Sequence, residues 1–228
     1  MADRIIALGN EHEQVELRRL VEAHRGRIVQ FERPGYTRDE LERAHGQTVA
    51  ALSTPDTEVV YQATFFDGGL VGHADFLERT EDGWLVSDTK LARTESVPAL
   101  LQIAAYAAML GTAGVPTAPV ARLVVGSGDV RDFALDDIVP VYLSRRARLD
   151  AILADHRTAD AAARWGDPRW LACGRCEVCE PEVEAARDLL LVASMRGPTR
   201  RRLRDAGVTT IEQLAVRTDP VPEVRSST

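Results

Sequence analysis

Helical and strand-like patterns of apolar and polar residues alternate along the first 165 residues, and they predict an α/β protein. Roughly helical spacing or an alanine-rich apolar character predicts helices over residues 11–23, 37–52, 97–110 and 142–163. Residues typical of strands predict β-structure over 27–31, 58–66, 70–78, 84–89 and 119–126. Turns at 67–69 and 81–83 separate three of these strands, so we expect an antiparallel meander plus a further strand, flanked by helices.

The pattern changes after Trp165. Three cysteines fall between 173 and 179, and the next stretch predicts a helix over 182–195. Residues 196–215 predict two short helices around Gly207, and the proline- and serine-containing end predicts a disordered tail. We therefore predict a core over 1–165, a cysteine segment over 166–182, a small helical segment over 183–218 and a tail over 219–228.

Composition narrows the class of protein. The net charge of −7 and the 45% hydrophobic content are typical of a soluble globular protein. No apolar run is long enough for a transmembrane helix, and the first residues do not resemble a signal peptide. Three clustered cysteines argue against a secreted disulfide framework, so we expect a reducing, cytoplasmic setting and no membrane partner. The acidic total excludes a protein that coats nucleic acid by bulk charge but leaves room for local basic patches.

The chain has one lysine, and its neighbours suggest a catalytic site. Of the 28 Lys and Arg residues, 27 are arginine and only Lys90 is lysine. Alternation along a strand places Asp88 and Lys90 on the same face. Asp75 lies on the preceding strand, so the two carboxylates can converge on one hard cation. A nearby ammonium would favour a metal-bound hydroxide or offset the charge of a phosphate.

An acid, a gap of about a dozen residues and then acid-x-Lys, on a hairpin between helices, resembles the PD-(D/E)XK nuclease superfamily and in particular its RecB-like branch. Two further elements match that branch. Gly9 and His12 resemble its Gly-x-x-His element, and Gln102 and Tyr106 match its Gln-x-x-x-Tyr motif. The i, i+4 spacing of the latter pair places both side chains on one helix face. The resemblance implies a restriction-endonuclease-like core.

The resemblance also implies an activity, namely metal-dependent hydrolysis of DNA phosphodiester bonds in repair, recombination or defence, on single strands or ends. It assigns Mg²⁺ or Mn²⁺ to His12, Asp75, Asp88 and the carbonyl of Thr89, with Lys90 orienting the attacking water. Gln102 and Tyr106 would position the substrate strand or the lysine. Two alternatives stay open: a catalytically inactive nucleic-acid-binding module, and a subunit whose partner chain supplies a helicase.

The cysteines form a Cys-x2-Cys-x2-Cys run at Cys173, Cys176 and Cys179. This cluster is similar to that of the iron–sulfur members of the branch. A [4Fe–4S] cluster or a structural Zn²⁺ requires four ligands, and only three cysteines are present. A partner chain, His156 or an exogenous ligand would complete such a site. The alternative is three reduced cysteines without a metal.

The basic segment that follows resembles a helix-hairpin-helix, whose glycine-bearing turn offers backbone N–H groups to a phosphate. The residues concerned are Arg200, Arg201, Arg202, Arg204 and Gly207. We expect them to contact nucleic acid. The alternative is a solvated arginine-rich helix.

Overall fold

The computed structural model describes residues 2–158, 165–166 and 173–219, and it divides the chain into two units, the first of which ends at Ala151. Among the described residues, no helix combines the length and the apolarity needed to span a bilayer.

The first unit contains a mixed sheet flanked by helices, which confirms the predicted α/β class. Its elements, in chain order, are α1 (Ala2–His24), β1 (Ile28–Gln30), α2 (Arg38–Ser53), β2 (Val59–Phe66), β3 (Val71–Thr80), β4 (Gly83–Lys90), α3 (Val97–Thr112), β5 (Thr117–Val125), β6 (Val130–Ala134) and α4 (Leu135–Thr158), which continues past the unit boundary. The six strands lie side by side in sequence order. β2, β3 and β4 form the predicted antiparallel meander, whereas β1 pairs parallel to β2, β5 pairs parallel to β4, and β6 pairs antiparallel to β5.

Some boundaries differ from the prediction. α1 begins at Ala2 rather than at residue 11, and α4 begins at Leu135 rather than at residue 142. Pro140 lies inside α4, although a proline usually marks a helix boundary. β6 was not predicted, because this strand has only five residues, lies at the sheet edge and pairs only with β5.

Two hydrophobic clusters cover the two faces of the sheet. The larger one packs Leu52 of α2 and Ile103 and Leu110 of α3 against the strands. The smaller one packs Leu17 and Leu20 of α1 against β2 and β3. The helices therefore enclose the sheet from both sides, as expected for a layered α/β unit.

The regular alternation of side chains between the two faces of the sheet is interrupted at one position where β2 pairs with β3. Ala74 and Leu77 lie three residues apart yet belong to the same cluster, which a regular strand does not allow. The residue that opposes this break is Gln62, whose φ of 56° lies in the left-handed region although it is not glycine. Asp75 occupies the break on β3. Backbone irregularity in a buried position of this kind is concentrated at functional sites.

The second unit contains short helical segments. They are α5 (Glu180–Ala185), a 3-10 turn (Leu189–Leu191), α6 (Gly197–Asp205) and α7 (Ile211–Ala215). The prediction of one helix over 182–195 is wrong. Arg187 has a φ of 49°, and the Asp188 side chain caps the 3-10 turn by accepting from the Leu190 N–H. This break lets Leu189 join Leu203 and Val208 in a small core. The two short helices around Gly207 are confirmed, whereas residues 220–228 lie outside the described residues.

Candidate functional site

A cavity of about 500 Å³ opens in the first unit beside the centre of the meander. Seven of the residues singled out from the sequence line it: Gly9, Asp75, Asp88, Thr89, Lys90, Gln102 and Tyr106. They come from α1, β3, β4 and α3, which the fold brings together. The wall is completed by further residues of α1 and by the segment between β1 and α2.

Asp75 and Asp88 form a buried carboxylate pair. Asp75 is 8% exposed and Asp88 is fully buried, and Asp75, when it holds a proton, can donate it in a hydrogen bond to Asp88. Burial, reinforced by the charge of Asp88, raises the pKa of Asp75 to about 7. Burial also raises the pKa of Asp88, although the Lys90 ammonium opposes this effect. Lys90 forms an ion pair with Asp88 Oδ2, which confirms that positions 88 and 90 share a face.

The carboxylate pair fits a divalent cation. Asp75 Oδ2 is held by the backbone N–H and the hydroxyl of Thr89, at 3.2 and 3.3 Å. Asp88 Oδ1 is buried and accepts no hydrogen bond from the part of the chain that the structure describes. Such an oxygen is costly to bury alone, and a hard cation with oxygen ligands would compensate it. The two aspartates therefore have the chemistry that Mg²⁺ or Mn²⁺ prefers, while ligation by the Thr89 carbonyl stays a prediction.

Gln102 and Tyr106 lie on the same face of α3 and are hydrogen-bonded to each other, as their i, i+4 spacing predicted. Gln102 Nε2 donates to the Tyr106 hydroxyl at 2.7 Å, which leaves the phenol O–H available as a donor. Burial raises the pKa of Tyr106 to about 12, so the phenol stays neutral. Gly72 allows this placement, since a Cβ there would lie 2.8 Å from Tyr106 Cε1.

The structure also brings in residues that the sequence analysis missed. Glu13 of α1 lines the cavity, and its Oε1 accepts from the Tyr61 hydroxyl at 2.7 Å and from Gln62 Nε2 at 2.5 Å. Gln62 Oε1 in turn accepts from Arg33 Nε at 3.0 Å. The left-handed backbone at Gln62 thus supports a bridge between a carboxylate and a guanidinium that both line the cavity. No short motif signals this bridge, because its members are far apart in sequence.

His12 lies next to Glu13 in α1 but is placed differently. Its Nε2 is 3.2 Å from the carbonyl oxygen of Val124, and His12 is not among the residues that line the cavity. Its role as a metal ligand stays a prediction that this geometry does not support.

His73 of β3 is a further cavity residue that was not predicted. Its Nδ1 lies 3.1 Å from Thr64 Oγ1, which fixes the ring. Its Nε2 is buried without a hydrogen-bond partner among the described residues. Burial lowers the pKa of His73, so the imidazole is neutral near pH 7.

Comparison with known families identifies the chain. The sequence model of the PD-(D/E)XK nuclease superfamily matches residues 4–181. This chain belongs to the PD-(D/E)XK nuclease superfamily. Members of this superfamily are usually nucleases, and its nucleases use divalent metal ions. The matched region includes Asp75, Asp88 and Lys90, and no curated protein matches the chain at a significant level.

The second unit contains a separate cluster of potential metal ligands. The thiol sulfurs of Cys173, Cys176 and Cys179 lie within 4.8 Å of one another. The backbone N–H of Cys179 and the neighbouring thiols lower the pKa of Cys176 to about 7, which favours the thiolate that binds metals. Among the described residues, no fourth His, Cys, Asp or Glu joins the three thiols, and His156 does not complete the group. The three cysteines can bind a metal only if a further ligand comes from elsewhere.

The arginines of the second unit are divided between structural and exposed positions. Arg200 makes two short hydrogen bonds to Asp188, at 2.7 and 2.6 Å, and Arg204 forms a longer contact with the same carboxylate at 3.4 Å. Asp188 is 1% exposed, so these pairs hold the small core together. Arg201 and Arg202 are exposed. The N–H of Gly207 donates to the carbonyl of Arg204, so the predicted phosphate contact at that N–H is not supported.

Proposed function

We propose that this protein is a metal-dependent nuclease that hydrolyses phosphodiester bonds of DNA, in repair, recombination or defence. The observation that carries the proposal is the buried Asp75–Asp88 pair with Lys90 bound to Asp88 in an accessible cavity. Two carboxylates that share one pocket and a single ammonium beside them suit a reaction on an anionic phosphate.

Each residue has a distinct role in this proposal. Asp75 and Asp88 would hold Mg²⁺ or Mn²⁺, which lowers the pKa of a bound water and offsets phosphate charge. Thr89 orients Asp75 through two hydrogen bonds. Lys90, held by Asp88, donates hydrogen bonds to the attacking water and to the negative charge that develops on the phosphate. The neutral Tyr106 phenol, oriented by Gln102, donates to the substrate strand.

The test is a cleavage assay on end-labelled single- and double-stranded DNA over a titration of Mn²⁺. The wild-type protein should cleave, whereas Asp75→Asn and Lys90→Ala should not. Asp82→Asn removes an exposed carboxylate from the turn of the same hairpin and serves as the matched control. Cleavage by Asp75→Asn at the wild-type rate would remove the assignment, and the same assay with RNA decides between the two nucleic acids.

The cysteine cluster favours a second candidate function, that of a subunit in a larger assembly. Three thiols that converge without a fourth ligand among the described residues suit a site completed by a partner chain or an exogenous ligand, with an iron–sulfur cluster or Zn²⁺ as the bound group. Size-exclusion chromatography and a pull-down from the native host would reveal such a partner. A monomer that has full nuclease activity in Mn²⁺ and contains neither iron nor zinc would exclude this candidate.

A further inference from the structure

The segment between β1 and α2, residues 31–37, contributes to the cavity wall and is fixed at both ends. At its start, the Phe31 N–H donates to the carbonyl oxygen of Tyr61 at 3.1 Å. At its end, Thr37 caps α2 through a capping box with Glu40. In the middle, the segment packs closely on the first turn of α2, since a Cβ at Gly35 would lie 2.7 Å from the carboxyl carbon of Glu40. The segment is therefore ordered although it contains no helix or strand.

Tyr36 stands on this segment as an exposed aromatic ring beside the cavity. It is 71% exposed. Its ring contacts the imidazole of His73 edge to face, with the ring centroids 6.1 Å apart and the ring planes at 89°. His73 lines the cavity, and Thr64 fixes its ring. Most of the tyrosine surface thus stays open to solvent next to the cavity. An aromatic side chain in such a position can stack an unpaired base.

Arg33 places a cation on the same segment. Its Nε is held by Gln62, and its side chain lines the cavity together with Lys90. The terminal amino groups of Arg33 find no acceptor in the described parts of the chain. A guanidinium held by one nitrogen, with the other two available, is suited to bind a phosphate through two hydrogen bonds. Arg33 and Lys90 therefore provide two cationic contacts along one cavity.

We propose that Tyr36 and Arg33 form a strand-binding lip that selects single-stranded DNA and orients the nucleotide next to the scissile phosphate. This inference rests on the proposed nuclease function and names its substrate class. A base must leave the duplex stack before a side chain can stack on it, and a cavity of about 500 Å³ is the size that holds a ligand of nucleotide scale. Stacking on Tyr36 recognises any base, so the lip favours unpaired strands without reading their sequence.

The experiment compares Tyr36→Ala with Tyr36→Phe, which keeps the stacking face. The substrates are a fluorescein-labelled oligonucleotide of mixed sequence, as a single strand and as a blunt duplex. Arg18→Ala, which removes an exposed charge from α1, is the control for Arg33→Ala. We expect Tyr36→Ala to raise the KM for the single strand by roughly 5- to 100-fold with little change in kcat, and Tyr36→Phe to match the wild type. Arg33→Ala should raise KM as well, and Arg18→Ala should not.

The outcomes separate this inference from the proposed function. If the wild type cleaves but Tyr36→Ala and Tyr36→Phe have equal KM values, or if the duplex is cleaved as efficiently as the single strand, the lip is wrong and the nuclease stands. If the wild type cleaves no DNA, the proposed function fails. Binding of the same single strand is then measured by fluorescence anisotropy with Ca²⁺. Weaker binding by Tyr36→Ala than by Tyr36→Phe supports the proposed lip, and equal binding overturns it.

Discussion

Replacing Asp75 with asparagine is expected to stabilise the metal-free protein at alkaline pH while it removes metal binding. The pKa of Asp75 is raised from its ordinary value near 4 to about 7 by burial and by the charge of Asp88. Between these two pH values the folded chain binds a proton that the unfolded chain has released. The stability that depends on this proton is therefore complete below pH 4 and is lost as the pH rises through 7.

The size of the effect follows from the pKa. A difference of about 3 pH units corresponds to about 4 kcal/mol, at roughly 1.4 kcal/mol per unit. Asparagine has the shape of aspartate without the charge, and its carbonyl oxygen can accept the two hydrogen bonds from Thr89. The advantage of Asp75→Asn over the wild type should thus grow by about 2 to 3 kcal/mol between pH 5 and pH 8.

The assay is urea unfolding in EDTA at pH 5 and pH 8, followed by far-UV circular dichroism. Repeating it at pH 8 with Mn²⁺ should remove most of the advantage of Asp75→Asn over the wild type. At about 100 times its Kd a metal stabilises the wild type by about 2.7 kcal/mol, and it should not stabilise Asp75→Asn. Asp82→Asn, with its carboxylate exposed in a turn, should behave as the wild type throughout. The reasoning is refuted if Asp75→Asn is less stable than the wild type at pH 8 in EDTA, or if Mn²⁺ stabilises both equally.

Four further substitutions test individual contacts. Lys90→Ala should lower kcat by at least about 100-fold while circular dichroism stays native, because the charge beside the phosphate is lost; a rate within about tenfold of the wild type would contradict this. Gly72→Ala places a methyl group 2.8 Å from the Tyr106 ring. We therefore expect the free energy of unfolding in urea to fall by about 1 to 3 kcal/mol and kcat/KM to decrease. Unchanged values would show that the ring moves freely. Asp188→Asn should destabilise the second unit by about 2 to 3 kcal/mol, seen as faster hydrogen exchange there, since two arginines lose a buried partner. Cys176→Ser should lower the iron or zinc content after anaerobic purification, an expectation that fails if the folded wild type contains neither.

Local patterns were enough to predict how the strand that contains Asp88 and Lys90 presents these two side chains. Asp88 and Lys90 lie two residues apart on a strand, so alternation alone places them on one face, and their ion pair confirms it. The same holds for Gln102 and Tyr106, whose helical spacing brings amide and phenol together. The meander also followed from sequence, because its two turns contain glycine and aspartate at the ends of strand-like runs.

Contacts between distant segments could not be predicted in this way. Glu13, Gln62 and Arg33 form a bridge across α1, β2 and the segment after β1, and none of the three carries a local signal. The left-handed backbone at Gln62 contradicts the β-propensity of its strand and exists only because its neighbours hold it. The predicted helix over 182–195 failed for a related reason, since Leu189 enters a core that forms only when α6 packs beside it.

The sequence by itself determined the class of fold and the identity of the acids and the lysine, because strand and helix periods act over a few residues. The tertiary structure decided which groups accompany them. It places Glu13 rather than His12 in the cavity wall. It also pairs Arg200 and Arg204 with the buried carboxylate of Asp188. The physical reason is that burial and pairing depend on all elements that pack around a side chain. The raised pKa of Asp75 and the position of the exposed Tyr36 ring against His73 arise only in the folded molecule.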